Sequence, residues 1–160
     1  MVLENILSYE RSICQLDTSS KKKTFEFIAD FLLSLSDTPD VTPDQLIEKL
    51  NAREKLGSTG IGKGVAIPHC RCPDLDEPTG LLITLERPID FDAPDDQKVD
   101  ILFVLIVPEE NNEQHLTLLT ELAELLSSIE FRNNMRKART AEELYFAALN
   151  FERHQSKSAG

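Results

Sequence analysis

Ile101-Leu102-Phe103-Val104-Leu105-Ile106-Val107, closed by Pro108, contains no polar residue. A strand with one wet face alternates, whereas a strand apolar throughout is covered on both faces. The run therefore predicts a central strand with helices above and below. Proline, which lacks an N–H, ends it. Working outward, residues 80–85 (Gly-Leu-Leu-Ile-Thr-Leu) predict a second strand closed by Arg87-Pro88, and residues 92–96 a polar turn before Val99. Residues 64–67 and 12–16 predict two short strands.

The remaining periodicity is helical. From Ser20, the positions Ile28, Phe31, Leu32 and Leu35 repeat along one face, and residues 37–40, with Pro39, break the pattern. Thr42-Pro43-Asp44-Gln45 is a helix start, with threonine as cap, proline at the first position and glutamine able to reach back. Its buried face is Leu46, Ile47 and Leu50, it runs to about Lys55, and Gly57 terminates it. Asn111 or Asn112 caps a further helix with His115 in its first turn and Leu118, Leu119, Leu122, Leu125, Leu126 and Ile129 inward. Thr140-Ala141-Glu142-Glu143 is a second capping box, opening a last helix through Leu144 and Ala148. Residues 3–7 predict a short turn. Strands interleaved with helices indicate an α/β fold: a single-domain α/β/α sandwich with a mixed sheet of about five strands, spanning residues 1–151 and followed by a polar tail, 152–160.

The chain has 160 residues and a formal net charge of −11. That length supports one core. No Lys/Arg block outweighs the carboxylates, which argues against nucleic acid, while an acidic body suits a basic protein partner. No apolar stretch reaches membrane-spanning length and no secretory leader is visible, so no membrane insertion is expected. Cys14, Cys70 and Cys72 form an odd set without framework spacing, as expected of a reducing cytoplasm.

Arg53-Glu54-Lys55-Leu56-Gly57-Ser58-Thr59-Gly60-Ile61-Gly62-Lys63-Gly64-Val65-Ala66-Ile67-Pro68-His69 carries the chemistry. Alternating Gly60, Gly62 and Gly64 predict a shaped loop with exposed N–H groups rather than a regular strand. Pro68 fixes the backbone before His69, so that the imidazole presents one nitrogen in a constant direction. Arg53, in the last turn of its helix, either compensates the helix dipole or offers a planar fork to two oxygens of a phosphoryl group. His115 either meets solvent or, beside the free N–H groups of a helix start, helps bind an anion. Ser58 and Thr59 form the turn, and their hydroxyls either hold the loop or touch the oxygens of a phosphoryl group. The glycines lack dinucleotide-fingerprint spacing, and Gly62-Lys63 is not followed by Ser or Thr, so neither nucleotide motif is present. His69-Cys70-Arg71-Cys72 has no second ligand pair, so no metal and no cofactor are expected.

This stretch resembles the phosphorylation-site signature of the enzyme IIA domains of the bacterial phosphoenolpyruvate-dependent phosphotransferase system, fructose/mannitol type, and above all the stand-alone nitrogen-regulatory IIA proteins. The similarity covers about residues 7–149. It implies that His69 accepts a phosphoryl group from a histidine-phosphorylated HPr or a nitrogen-branch HPr-like carrier, flanked by Arg53 and His115 with Ser58, Thr59, Gly60 and Gly62 supporting the loop. The phosphorylated and free forms would then bind different targets, which the resemblance does not name. Two alternatives are a fructose/mannitol-class IIA that passes phosphoryl to a IIB domain and a binding module of the same fold that carries no phosphate. Monomer and weak homodimer are both compatible. Ile61, Val65 and Ile67 are expected to border the docking face. Cys70 stands where the family commonly has glycine, and a thiol there would make phosphorylation oxidant-sensitive.

Overall fold

The computed structural model describes residues 2–35, 40–73, 75–110 and 112–159, without the side chains of 156–159. The apolar run forms β6 (Val99–Pro108), in the middle of a mixed six-stranded sheet. On one side β6 pairs antiparallel with β5 (Thr79–Ile89), which in turn pairs parallel with β1 (Ser12–Leu16). On its other side β6 meets β3 (Val65–Ala66) and then β4 (His69–Cys72), both parallel to it. β2 (Gly60–Gly62) closes that edge antiparallel to β3.

Side chains of β6 leave for both faces, as an unbroken apolar strand requires. Ile101, Phe103, Leu105 and Val107 enter a core shared with α1 (Val2–Ile6), α4 (Asn112–Leu126), α5 (Ile129–Lys137) and α6 (Ala141–Ala159). Leu102, Val104 and Ile106 enter a second core against α2 (Lys21–Ser34) and α3 (Pro43–Lys55). The result is an α/β/α sandwich. Thr42 caps α3 in a full capping box, accepting from the Gln45 N–H while Gln45 Oε1 accepts from the Thr42 N–H.

Several elements differ from the sequence reading. α2 ends at Ser34, so Leu35 lies outside it and is exposed. The predicted break at residues 37–40 falls mostly outside the described residues, as does Asn111. β5 continues through Arg87-Pro88 to Ile89. Its last partner on the β1 side is at Leu85, so beyond that point the proline's missing N–H leaves no bond unmade on that side. Ile129 is not the end of α4 but the exposed first residue of α5, which Ser128 caps by accepting from the Phe131 N–H. At α6 the Thr140 hydroxyl accepts from the Glu143 N–H, but the Glu143 carboxylate reaches Arg139 N–H rather than closing a box. α6 also runs on through the residues expected to be a tail. Glu152 accepts the N–H groups of Val2 and Leu3 at 3.1 and 2.9 Å, holding the start of α1 to this helix.

The glycine stretch is a hairpin, not an irregular loop. β2 and β3 are joined through Lys63 and Gly64 at φ of +61° and +82°, the left-handed pair that a two-residue primed turn demands. A side chain at Gly64 would be strained by that φ, and its Cβ would displace the ends of Arg136 and Asp100, 2.6 Å from Nη2 and 3.0 Å from Oδ1.

Candidate functional site

β3 and β4 are two halves of one edge along β6, interrupted at Ile67-Pro68. Proline has no N–H for the ladder, so the edge breaks there. Pairing resumes when Leu105 N–H donates to the Pro68 carbonyl at 2.9 Å, and His69 faces Leu105 as the first residue of β4. His69 thus opens a strand rather than closing one. The break leaves the Ile67 carbonyl 2.7 Å from His69 Nδ1. A carbonyl can only accept, so Nδ1 carries the proton and Nε2 holds a lone pair. The same tautomer follows independently from Arg53, whose Nε–H donates to His69 Nε2 at 3.2 Å. Arg53 Nη1 meanwhile donates to the Gly57 carbonyl at 2.7 Å, tying the side chain to the end of its own helix.

A cleft of about 440 Å³ opens above this pair between α3, α4 and the β4–β6 edge. Arg53, His69 and His115 all line it, so the structure brings together the three side chains singled out by sequence. His115 is buried on the first turn of α4, and its Nδ1 has no hydrogen-bond partner among the described residues. Lys49 and Arg71 also line the cleft and make it cationic within an acidic protein. Neither was foreseen.

Ser58, Thr59, Gly60 and Gly62 lie away from the cleft and are occupied in building its wall. The Ser58 hydroxyl donates to the Phe91 carbonyl at 2.6 Å and accepts from the Gly60 N–H at 3.0 Å. The Thr59 hydroxyl donates to the Glu54 carboxylate. Gly60 packs on Ala93, and Gly62 sits in the hairpin beside Asp95. Val65 and Ile67 are buried, so of the three residues expected at a docking face only Ile61 reaches the surface. The large exposed apolar residues at the cleft are instead Leu56 and Leu116. Cys70 is buried with its thiol pushed up to about 12, chiefly by burial and then by the neighbouring Cys72. Burial thus favours the protonated thiol, the less reactive form.

Burial holds the pKa of His69 below its ordinary value; the Ile67 carbonyl opposes that shift and the Arg53 guanidinium adds to it. His115 is shifted down as well, by burial and then by Arg71. Both rings are therefore neutral near pH 7. A ring titration followed by NMR should give midpoints below 6.5 for His69 and His115; a midpoint at or above 6.5 for either would contradict the account. The unfolded chain binds these protons first, so stability should fall as pH drops from about 6.5 through the folded midpoints.

One cleft thus holds a neutral histidine with an aimed lone pair, a fork-shaped cation on that nitrogen and a second neutral histidine at a helix start. The chain belongs to the EIIA 2 family of the phosphoenolpyruvate-dependent sugar phosphotransferase system, whose family model matches residues 5–149. Within it, the chain is 43% identical over 153 residues to the nitrogen regulatory protein of Pseudomonas aeruginosa, covering 96% of this chain and 98% of that one. It is 38% identical over 147 residues to the nitrogen regulatory protein of Escherichia coli, covering 89% and 86%. Among solved structures it is similar to nitrogen regulatory protein IIA-Ntr from Neisseria meningitidis, with a TM-score of 0.81, 36% identity and coverage of 89% and 96%. IIA mannitol from Escherichia coli shares the fold at a TM-score of 0.71, with 18% identity and coverage of 89% and 98%. Among the described residues no helix is long and apolar enough to cross a membrane, and no group of three or more His, Cys, Asp or Glu could hold a metal ion.

Proposed function

We propose that this chain is a cytoplasmic phosphocarrier of the nitrogen-regulatory IIA kind, that His69 Nε2 accepts a phosphoryl group from a histidine-phosphorylated HPr-like carrier, and that the phosphorylated and free forms engage different targets. The observation that carries the reading is the lone pair of His69 Nε2, fixed by the Ile67 carbonyl on the other nitrogen and met by Arg53 at 3.2 Å on the wall of a cationic cleft.

The transfer balances without an external base. Nε2 attacks phosphorus as the N–P bond of the donor breaks, and the donor ring, protonated on its other nitrogen, takes back the electron pair and leaves as neutral imidazole. The His69 ring becomes the cation and keeps its Nδ1 proton, which the Ile67 carbonyl holds. Positioning and charge neutralisation supply most of such a step. Arg53 gives up its bond to Nε2 and turns its fork to the phosphoryl oxygens. His115, at the start of α4, lies where the helix dipole favours an anion. Leu56 and Leu116 offer the carrier an apolar rim, and docking there would keep water off the N–P bond. Adding a phosphoryl group offsets much of the positive charge that Lys49, Arg53 and Arg71 give the cleft, which gives the two forms different binding surfaces.

Incubation with labelled phosphoenolpyruvate, enzyme I and an HPr-like carrier should label the wild-type protein and leave His69→Ala unlabelled. The label should be acid-labile and map to Nε2. Label retained by the alanine variant would overturn the site. Rapid onward transfer to a sugar IIB would replace regulation with sugar uptake as the role.

A further inference from the structure

Glu54 is out of place by local rules. It sits in the last turn of α3, between Arg53 and Lys55, where the helix dipole disfavours a carboxylate. Its side chain is only 6% exposed. A buried carboxylate requires partners, and its partners lead to the site. Lys21 Nζ, from the start of α2, lies 2.9 Å from Glu54 Oε2 and 4.5 Å above the Phe91 ring. The carboxylate accepts the Thr59 hydroxyl and the Thr59 N–H, the latter at 3.2 and 3.3 Å from its two oxygens. The Thr59 carbonyl accepts the Ile67 N–H at 3.0 Å, and the Ile67 carbonyl accepts His69 Nδ1–H at 2.7 Å.

We infer that Glu54 is a positioning residue for His69: by clamping Thr59 to the end of α3 it fixes the Ile67 peptide, whose carbonyl sets which imidazole nitrogen carries the proton. The inference rests on the reading of His69 as phosphoryl acceptor. Ile67 precedes a proline, and Ala66 is the last residue of β3, so among the described residues the 67–68 backbone is held beyond the strand by the Thr59 and Leu105 hydrogen bonds, beside the buried Ile67 side chain. Without the clamp the Ile67 carbonyl can move off the ring. Only the Arg53 Nε–H bond at 3.2 Å then holds the proton off Nε2, so the Nε2–H tautomer, which has no lone pair for attack, gains population. Lys21 neutralises the carboxylate at Oε2 and leaves Oε1 to the Thr59 hydroxyl and N–H. The arrangement gives an acidic residue a specific task beside a phosphoryl site, where a negative charge would otherwise oppose the incoming group.

The test pairs a ring measurement with a rate. Nitrogen-15 shifts of the His69 imidazole should report the Nδ1–H tautomer in wild type and a mixture with Nε2–H in Glu54→Ala. Single-turnover transfer from the phosphorylated carrier should slow between about 10- and 100-fold, the scale of a small misplacement at a reacting centre. Glu54→Gln keeps an oxygen toward Thr59 and should restore most of both. Thr59→Val removes one bond of the clamp and should shift both readouts the same way by a smaller amount; it decides the question alone if the alanine variant does not fold. A folded Glu54→Ala protein with wild-type ring shifts, or with altered shifts and an unchanged rate, overturns the inference. A wild-type protein that takes no phosphoryl group overturns the underlying reading instead, and the ring shifts still show whether the clamp sets the tautomer.

Discussion

Arg53→Ala should slow phosphoryl acceptance by roughly 100- to 1,000-fold, the usual cost of removing a preorganised donor from developing charge. The residue has two opposed effects on His69, which makes the expectation specific. In the resting site its Nε–H occupies the Nε2 lone pair at 3.2 Å, and its charge helps lower the pKa of the ring. Removal therefore frees the nucleophile and raises its basicity. If lone-pair availability limited the reaction, the variant would be faster. During transfer, however, the phosphoryl oxygens carry charge that a planar fork can grip at two points, and loss of that grip outweighs the gain. Arg53→Lys keeps the charge but cannot grip at two points or hold the Gly57 carbonyl in the same way, so it should recover only part of the rate. The acid limb of the pH–rate profile should move to higher pH in Arg53→Ala, because one cause of the depressed His69 pKa is gone. Single-turnover rates across pH test both points together. An alanine variant within a factor of about three of wild type would deny Arg53 a role in stabilising the transferred group.

Elements whose defining forces are local were readable from the chain. The both-faces-covered strand at 101–107 and the Thr42 cap with its Gln45 partner are decided by neighbours in sequence, and they appear as β6 and the start of α3. Ile129 was misplaced because it continues the apolar stripe of α4 while also starting α5, and periodicity cannot separate the two. The true signal was Ser128 as a cap, three residues before Phe131. The C-terminal residues looked like a tail because their polarity hides partners some 150 positions away, such as the N–H groups of α1 that Glu152 accepts.

The site divides along the same line. Arg53 and His69 stand out in sequence because the glycine run and Pro68 constrain the backbone between them, and the structure puts them in direct contact. The serine, threonine and glycines of that run were also read as near the reacting group. Their hydroxyls and N–H groups are instead used up in the hairpin and its anchors. Arg71 and Lys49 reach the cleft from β4 and α3, and no spacing rule connects them. Glu54 could have been noticed, since a carboxylate in the last turn of a helix opposes the dipole and asks for an explanation.

Phe103→Ala should destabilise the fold by about 3–5 kcal/mol, the range for truncating a fully buried aromatic. Phe103 lies in the middle of β6, is 1% exposed, and stands opposite Leu82 in the antiparallel ladder. Its ring covers Gly80: a Cβ on that glycine would come within 2.8 Å of the Phe103 ring and 3.2 Å of the Ile6 carbonyl. Gly80 is thus the small residue that lets the large one lie flat between the sheet and α1. Gly80→Ala alone should therefore be destabilising through overpacking, by about 1–3 kcal/mol. Together the two changes should cost less than their sum, because the lost ring leaves space that the added methyl partly fills. Urea unfolding of wild type, both single variants and the double variant closes the cycle, and an unchanged m-value would show that native and denatured states keep their difference in exposed surface. Strict additivity would mean that ring and glycine do not share the space the structure assigns them. A loss below about 1 kcal/mol for Phe103→Ala would mean that the core collapses readily around the gap, contrary to the packing of β6 between two helical layers.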